Sequence, residues 1–224
     1  MAGRIAYYGN IVKDGLVFCL DAAKVDSYPG AGTAWNDISG FQRNGVLTNG
    51  PSYNSDNRGS IVLDGSNDFV TFGNVAALNF TTAFSIGCWF RASAVQPSVD
   101  SAIIGNINGT YTGYMLWYNS NTVDFYFNSG VRANSTTTIS ANTWYHVMGI
   151  WTGTAAQVYL NGALNVSSAY AIAPSNGSPL FTVGQYQSGR NFAGNVSICT
   201  AYNKALTASE VLQNYNATKG RYGL

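Results

Sequence analysis

Charge is scarce in this chain. Lys, Arg, Asp and Glu make up 9% of its 224 residues, against roughly 25% in an average soluble domain. Eleven basic and ten acidic side chains leave a formal net charge of +1. That balance offers no electrostatic footprint for nucleic acid and no basic cluster for anionic lipid, so neither is expected as a partner. No apolar run is long enough for a membrane-spanning helix, and no membrane insertion is expected. The opening MAGRIAYYGNIVKDG holds neither the apolar core nor the small-residue cleavage site of a signal peptide, and none is expected. Cysteine is confined to Cys19, Cys88 and Cys199, each inside an apolar, strand-like run. An odd count with no close pair in sequence speaks against a disulfide framework or a zinc site. Small core thiols are the expectation.

The shortage extends to the residues that do chemistry. His146 is the one histidine and Glu210 the one glutamate. A hydrolytic triad needs a Ser or Cys on a sharp turn such as G-x-S-x-G, and the sequence has none. Glycoside hydrolysis needs two carboxylates flanking the bond, and no paired-acid strand motif occurs. P-loop, G-x-G-x-x-G and C-x-x-C patterns are missing as well. The chain is therefore not expected to be an enzyme.

What is present is strand. LVFCLD (16–21), SIVLD (60–64), DFVTF (68–72), FSIGCWFR (84–91), AIIGNI (102–107), GYMLWYN (113–119) and VDFYFN (123–128) are short runs rich in β-branched and aromatic residues. WYHVMGIW (144–151), AQVYL (156–160), LFTVG (180–184) and GNVSICTAYN (194–203) continue the series, about eleven strands in all. Asn161-Gly162 between two apolar runs predicts a tight hairpin, because both turn positions need positive φ. One helix is expected, in LTASEVLQNYNATKG. There Thr207 caps it, Glu210 completes a capping box, and Leu206 staples against Val211. Val211, Leu212 and Tyr215 would form its docking stripe. Apolar residues reach 46%, enough for a sizeable core, and the surface is left to Asn, Ser, Thr, Gly and Tyr. Seven N-x-S/T sequons, from Asn79 to Asn216, follow from that richness in Asn, Ser and Thr. Residues 1–14 are expected to be an N-terminal arm and possible anchor, with residues 15–224 forming a single all-β domain.

Several residues are candidates for a site. In WYHVMGIW, strand alternation puts Trp144, His146, Met148 and Ile150 on one face, without a nucleophile or carboxylate beside them; a structural histidine is expected. Asp64, Asn67 and Asp68 in LDGSNDF are hard oxygen ligands at a turn and could hold calcium, although turn capping explains them equally. Asp124, Tyr126 and Asn128 share a strand face with lectin-like metal-loop spacing. Trp35, Tyr111, Tyr114, Trp117, Tyr118 and Tyr186 lie in or near expected loops, where an aromatic face can stack on the C–H groups of a sugar.

Taken in order, D-G-S-N-D-F-V (64–70), the W-F strand (89–90), W-Y-H-V (144–147), V-Y-L-N-G (158–162) and A-L-T-A-S-E-V (205–211) resemble the laminin G-like branch of the concanavalin A-like lectin/glucanase superfamily. The resemblance covers roughly residues 11–222. Its I-V-K-D-G-L-V start and N-Y-N-A-T-K-G-R end look like single-domain virion proteins of tailed bacteriophages, especially those infecting aquatic bacteria. The resemblance implies a two-sheet antiparallel jelly-roll sandwich with carbohydrate or protein recognition through rim loops, sometimes with calcium. In that frame Trp144, His146, Asn161 and Gly162 are scaffold. The segment FQRNG departs from the family's small turn, and Phe41 and Arg43 are expected to make it a contact surface. The expected function is a non-enzymatic virion component (capsid decoration, fibre or tail surface) located on the virion surface, partnered by other virion proteins and binding host-surface glycans. A stand-alone carbohydrate-binding adhesin is the alternative, and a hydrolase accessory domain stands third. Low charge also points to a homo-oligomer.

Overall fold

The computed structural model describes residues 10–98, 100–106, 112–175, 180–186 and 189–224, with Val131 described through its backbone alone. Six strands open the domain: β1 (Leu16–Asp21), β2 (Ala34–Trp35), β3 (Gly45–Thr48), β4 (Ser52–Asn54), β5 (Ser60–Asp64) and β6 (Phe69–Thr71). Six follow: β7 (Phe84–Ala92), β8 (Asp100–Gly105), β9 (Tyr114–Asn119), β10 (Thr122–Phe127), β11 (Gly130–Asn134) and β12 (Trp144–Trp151). The last are β13 (Ala155–Leu160), β14 (Ala163–Ala169), β15 (Thr182–Val183), β16 (Gln185–Tyr186), β17 (Arg190–Asn191) and β18 (Ala193–Tyr202). Helix α1 (Ala208–Thr218) closes the series.

These strands make two sheets. The first runs β14-β13-β12-β7-β18-β5-β4, with β1 also paired to β18; the second runs β11-β10-β9-β8-β15-β6-β3-β2, with β17 joining β8. Pairing is antiparallel except for the single β17–β8 bridge. The fold is thus the sandwich that the strand pattern predicts, with the two-sheet antiparallel jelly-roll build that the family resemblance implies. The strands beyond the expected eleven are mostly two to five residues long, too short to show a period. β14 is longer, but its ALNVSSA is largely exposed and lacks an apolar signal.

The core lies between the sheets. Phe18, Trp35, Phe84, Phe90, Leu116, Phe125, Phe127 and Val147 are all fully buried there. At the β13–β14 turn, Asn161 and Gly162 take φ of 49° and 82°, values that suit a type I′ turn. A Cβ at Gly162 would also sit 2.9 Å from the Tyr215 ring. The three thiols are buried and free. Sequence distance hides one relation among them: the register sets Cys88 directly opposite Cys199 on β7 and β18.

The outer face of the first sheet is covered by the chain itself. The Thr207 hydroxyl accepts the Glu210 N–H at 3.3 Å, and Glu210 Oε2 accepts the Thr207 N–H at 2.8 Å. Lys204, bonded to Glu210 at 2.8 Å, and the Thr207 N–H hold this carboxyl below its usual range. The docking stripe differs from the expected one. Leu212 is exposed, and Asn214 is buried in its place. Its amide accepts the Val12 N–H at 2.8 Å and donates to the Tyr202 hydroxyl at 3.0 Å. A polar residue takes this inward position because it ties the segment before β1 to the helix. Beyond the helix, Arg221 grips both Asp21 oxygens at 2.9 Å. Residues 1–9 of the expected arm lie outside the described residues.

Candidate functional site

His146 is expected from the sequence to be a structural residue. It sits on the covered outer face of the first sheet, with the rings of Trp89 at 5.3 Å and Tyr215 at 6.0 Å. Its backbone N–H donates to Asn161 Oδ1 at 2.9 Å and its carbonyl accepts the Asn161 N–H at 2.8 Å. Burial lowers its pKa to about 3, because a charged imidazolium loses its hydration there. A cavity of about 10 Å³ lies beside it, lined by Trp89, Thr200, Asn214 and Thr218 among others. No carboxylate is among the lining residues; burial pushes the pKa of the Cys88 thiol, which also lines the cavity, well up, and the Thr218 hydroxyl accepts the Trp89 N–H.

The outer face of the second sheet is different. Register places Ala102, Trp117, Asp124 and Asn134 in one row across β8, β9, β10 and β11. Trp117 is met edge-on by Tyr186 at 5.2 Å and by Tyr126 at 6.0 Å. The Arg190 guanidinium lies 5.7 Å from the indole centre and is ion-paired with Asp100. The Asp124 carboxylate is buried and accepts amide protons from Asn119, at 2.8 Å, and from Asn134. Asp124, Tyr126 and Asn128 therefore do not converge on a metal: the Asn128 amide turns away to the Ala173 carbonyl, at 2.7 Å, and the Ser175 N–H, at 2.7 Å.

Next to this face, at the end of the sandwich, is an open crevice of about 370 Å³ lined by Gln96, Pro97, Ser98, Tyr118, Ser120 and Asn121 among others. Ser120 and Asn121 form the β9–β10 turn with φ of 47° and 68°, which projects both side chains. The Tyr118 hydroxyl donates to Asn121 Oδ1 at 2.6 Å. Burial raises the Tyr118 pKa, so the phenol stays a neutral donor. Gln96 builds the opposite wall, clamped to Ala193 through both amide atoms at 2.6 and 3.0 Å. The crevice offers hydroxyls, amides and one ring, with no charged side chain among these lining residues.

The structure corrects most of the aromatic candidates. Trp35 and Tyr114 are fully buried core residues; the Tyr114 hydroxyl donates to the Leu78 carbonyl at 2.7 Å. Tyr118 packs edge-on against Phe192 and shows its hydroxyl end to the crevice. Trp117 and Tyr186 do meet on one outer face, yet they cover each other and are 4% and 3% exposed. Tyr111 lies outside the described residues. The calcium candidates are occupied by their own turn. Asp64 Oδ1 accepts the Ser66 and Asn67 N–H groups at 2.7 and 3.3 Å, and Asp68 Oδ2 accepts the Asp64 N–H at 3.1 Å. The Ser66 bond lowers the Asp64 pKa, and burial raises that of Asp68. Among the described residues no three His, Cys, Asp or Glu side chains gather. Turn capping thus accounts for Asp64 Oδ1 and Asp68 Oδ2. The FQRNG loop is pinned by Asp37, which accepts from the Cys19, Ser39 and Arg43 N–H groups at 2.9–3.1 Å. Phe41 remains exposed with the Arg43 guanidinium 4.4 Å over its ring.

No curated protein matches the chain significantly by sequence. Solved structures match it by fold. The binding domain of Paraclostridial Mosquitocidal Protein 1 superposes with a TM-score of 0.71 at 19% identity, over 92% of this chain and 52% of that one. Trypanosoma rangeli sialidase gives 0.71 at 16% identity, over 92% and 33%. Domain 4 of AbnA, a GH43 extracellular arabinanase from Geobacillus stearothermophilus solved in complex with arabinotriose, gives 0.70 at 16% identity, over 89% and 98%. The chain therefore spans about half of the first of these proteins and a third of the second. At such identities the likeness is one of fold. Residues 64–212 match the Laminin_G_3 family model, and on that match, over more than half its length, the chain belongs to the Concanavalin A-like lectin/glucanases superfamily.

Proposed function

We propose that this domain is a non-catalytic module that recognises glycans without net charge, displayed on the surface of a tailed-phage particle. The observation that carries the recognition is the open crevice of about 370 Å³, which Tyr118, Ser120, Asn121 and Ser98 line with one ring and with hydroxyl and amide groups that bear no charge. Sugar hydroxyls are matched by such groups, and their C–H faces by aromatic rings. The arabinotriose held by the arabinanase domain of the same fold is in keeping with this use. A non-catalytic role is supported by the engagement of the nearby carboxylates, Asp124 with Asn119 and Asn134, and Asp100 with Arg190. The virion setting rests on the opening and closing sequence motifs.

A bacterial-glycan array tests this reading, run with the wild-type domain and with Tyr118→Phe/Asn121→Ala, in calcium and in chelator. Wild type should bind a set of glycans without net charge equally in both buffers, and the double variant should lose them. A blank array for the folded wild-type domain overturns the reading.

A further inference from the structure

If the domain binds glycans, one buried donor also selects the kind of sugar, an inference that rests on the glycan reading. The Trp117 indole N–H is buried and has no acceptor, a state that folded proteins seldom leave unexplained. The Trp35 indole shares it, but that ring is sealed in the core between the sheets, where no ligand reaches. Trp117 instead stands on an outer face, and the groups set against its ring are the side chains of Tyr186, Tyr126 and Arg190. The side chains at Trp117 can change rotamer to admit a ligand from solvent, whereas Trp35 is enclosed between the two sheets.

The surroundings decide which acceptor suits. A carboxylate would meet Asp100 and Asp124, and Arg190, the cation set against the ring among the described residues, is already paired with Asp100. That excess of negative charge selects a neutral oxygen. The patch beside the indole is apolar, built from Ala102, Met115 and Tyr126. A neutral acceptor that carries a small apolar group is an amide carbonyl bearing a methyl. We propose that the Trp117 patch is a subsite for the N-acetyl group of an amino sugar. The acetyl carbonyl accepts the indole N–H, and the methyl packs among Ala102, Met115 and Tyr126. The crevice at the sandwich end then takes the hydroxyls of neighbouring sugar units.

Calorimetry with chitotriose and cellotriose, which differ in carrying N-acetyl or hydroxyl groups, tests the proposal. Wild type should bind chitotriose about tenfold more tightly, the value of one hydrogen bond made in place of an unpaired donor. Trp117→Phe keeps a ring and removes the donor, so it should bind the two sugars equally. If that variant fails to fold, the wild-type indole N–H resonance of Trp117 serves instead: it should shift with chitotriose and stay still with cellotriose. Equal binding of the two sugars by wild type, or a preference that survives Trp117→Phe, overturns the N-acetyl subsite and leaves glycan recognition standing. Failure of every array glycan to bind removes both.

Discussion

The two outer faces of the sandwich are built from similar parts and used differently. Each carries a tryptophan among tyrosines and a buried polar atom without a partner, Nδ1 of His146 on one and Nε1 of Trp117 on the other. On the first sheet, α1 and the turn after it cover the face: Trp89 stacks on Tyr222 at 4.0 Å and on Tyr215 at 5.7 Å, and its N–H donates to Thr218 at 2.8 Å. There the orphan atom adjoins a cavity of about 10 Å³, close to the space one water needs. On the second sheet the rings and guanidinium around Trp117 are all side chains. A face on which a further element packs becomes core; one on which only side chains of the sheet's own strands meet, as Tyr126, Tyr186 and Arg190 do, keeps the option of exchange. Strands β7 and β18 are buried on both faces under the helix, and β9 under the side chains of its own sheet.

Breaking one ion pair on each face should give the largest contrast. Arg221 and Asp21 are each 11% exposed as side chains, whereas Arg190 and Asp100 are 40% and 31% exposed. Arg221→Met should cost about 3–5 kcal/mol, because it leaves a buried carboxylate unpaired. Arg190→Gln should cost about 0–1 kcal/mol. Urea unfolding measures both, and equal costs would erase the distinction between the faces. Next come the tryptophans. Trp89→Phe loses packing and the Thr218 bond and should cost about 2 kcal/mol. Trp117→Phe removes an unpaired donor and should be near neutral in the same assay.

The third test uses pH. The His146 pKa in the fold, about 3, lies below its unfolded value of roughly 6.5. The neutral ring is thus the folded form, and its contribution is fully present above pH ~6.5. It is lost progressively as the pH falls towards 3, since the unfolded chain binds the extra proton. His146→Gln should flatten that part of the stability curve relative to wild type. Carboxylates such as Glu210 titrate equally in both proteins, so the difference between the curves isolates the histidine. A smaller effect, about 1 kcal/mol, is expected for Thr207→Ala, which removes the helix cap. The smallest is calcium: adding it or chelating it should leave Tm unchanged, because one oxygen of Asp64 and one of Asp68 are taken by the turn's own N–H groups and no third acidic side chain joins them among the described residues.

The parts of this molecule legible in its sequence are the local ones. The β13–β14 turn needs two residues at positive φ, and Asn161-Gly162 says so. Thr207, Glu210 and the apolar residues on either side mark the helix start within six positions. The aromatics were not legible for a physical reason. In YMLWYN every second residue is apolar on both faces, and Tyr114 to Tyr118 are all buried. Alternation therefore cannot say that Tyr118 serves the core and the crevice while its neighbour Trp117 faces outward. The same holds for Asn214, whose inward position is fixed by a main-chain partner some 200 residues away. The facing of Cys88 and Cys199 is likewise set by strand order, which no spacing in the sequence encodes.

The Asn10 carbonyl accepts from Gln213 at 2.7 Å, so the first described residue and the C-terminal helix lie together against the first sheet. Both lie on the side of the sandwich opposite the Trp117 patch. The described part of the domain thus has a back, where its first residues and its helix gather, and a front that bears the patch. A tag placed after Leu224 should leave that front open to solution.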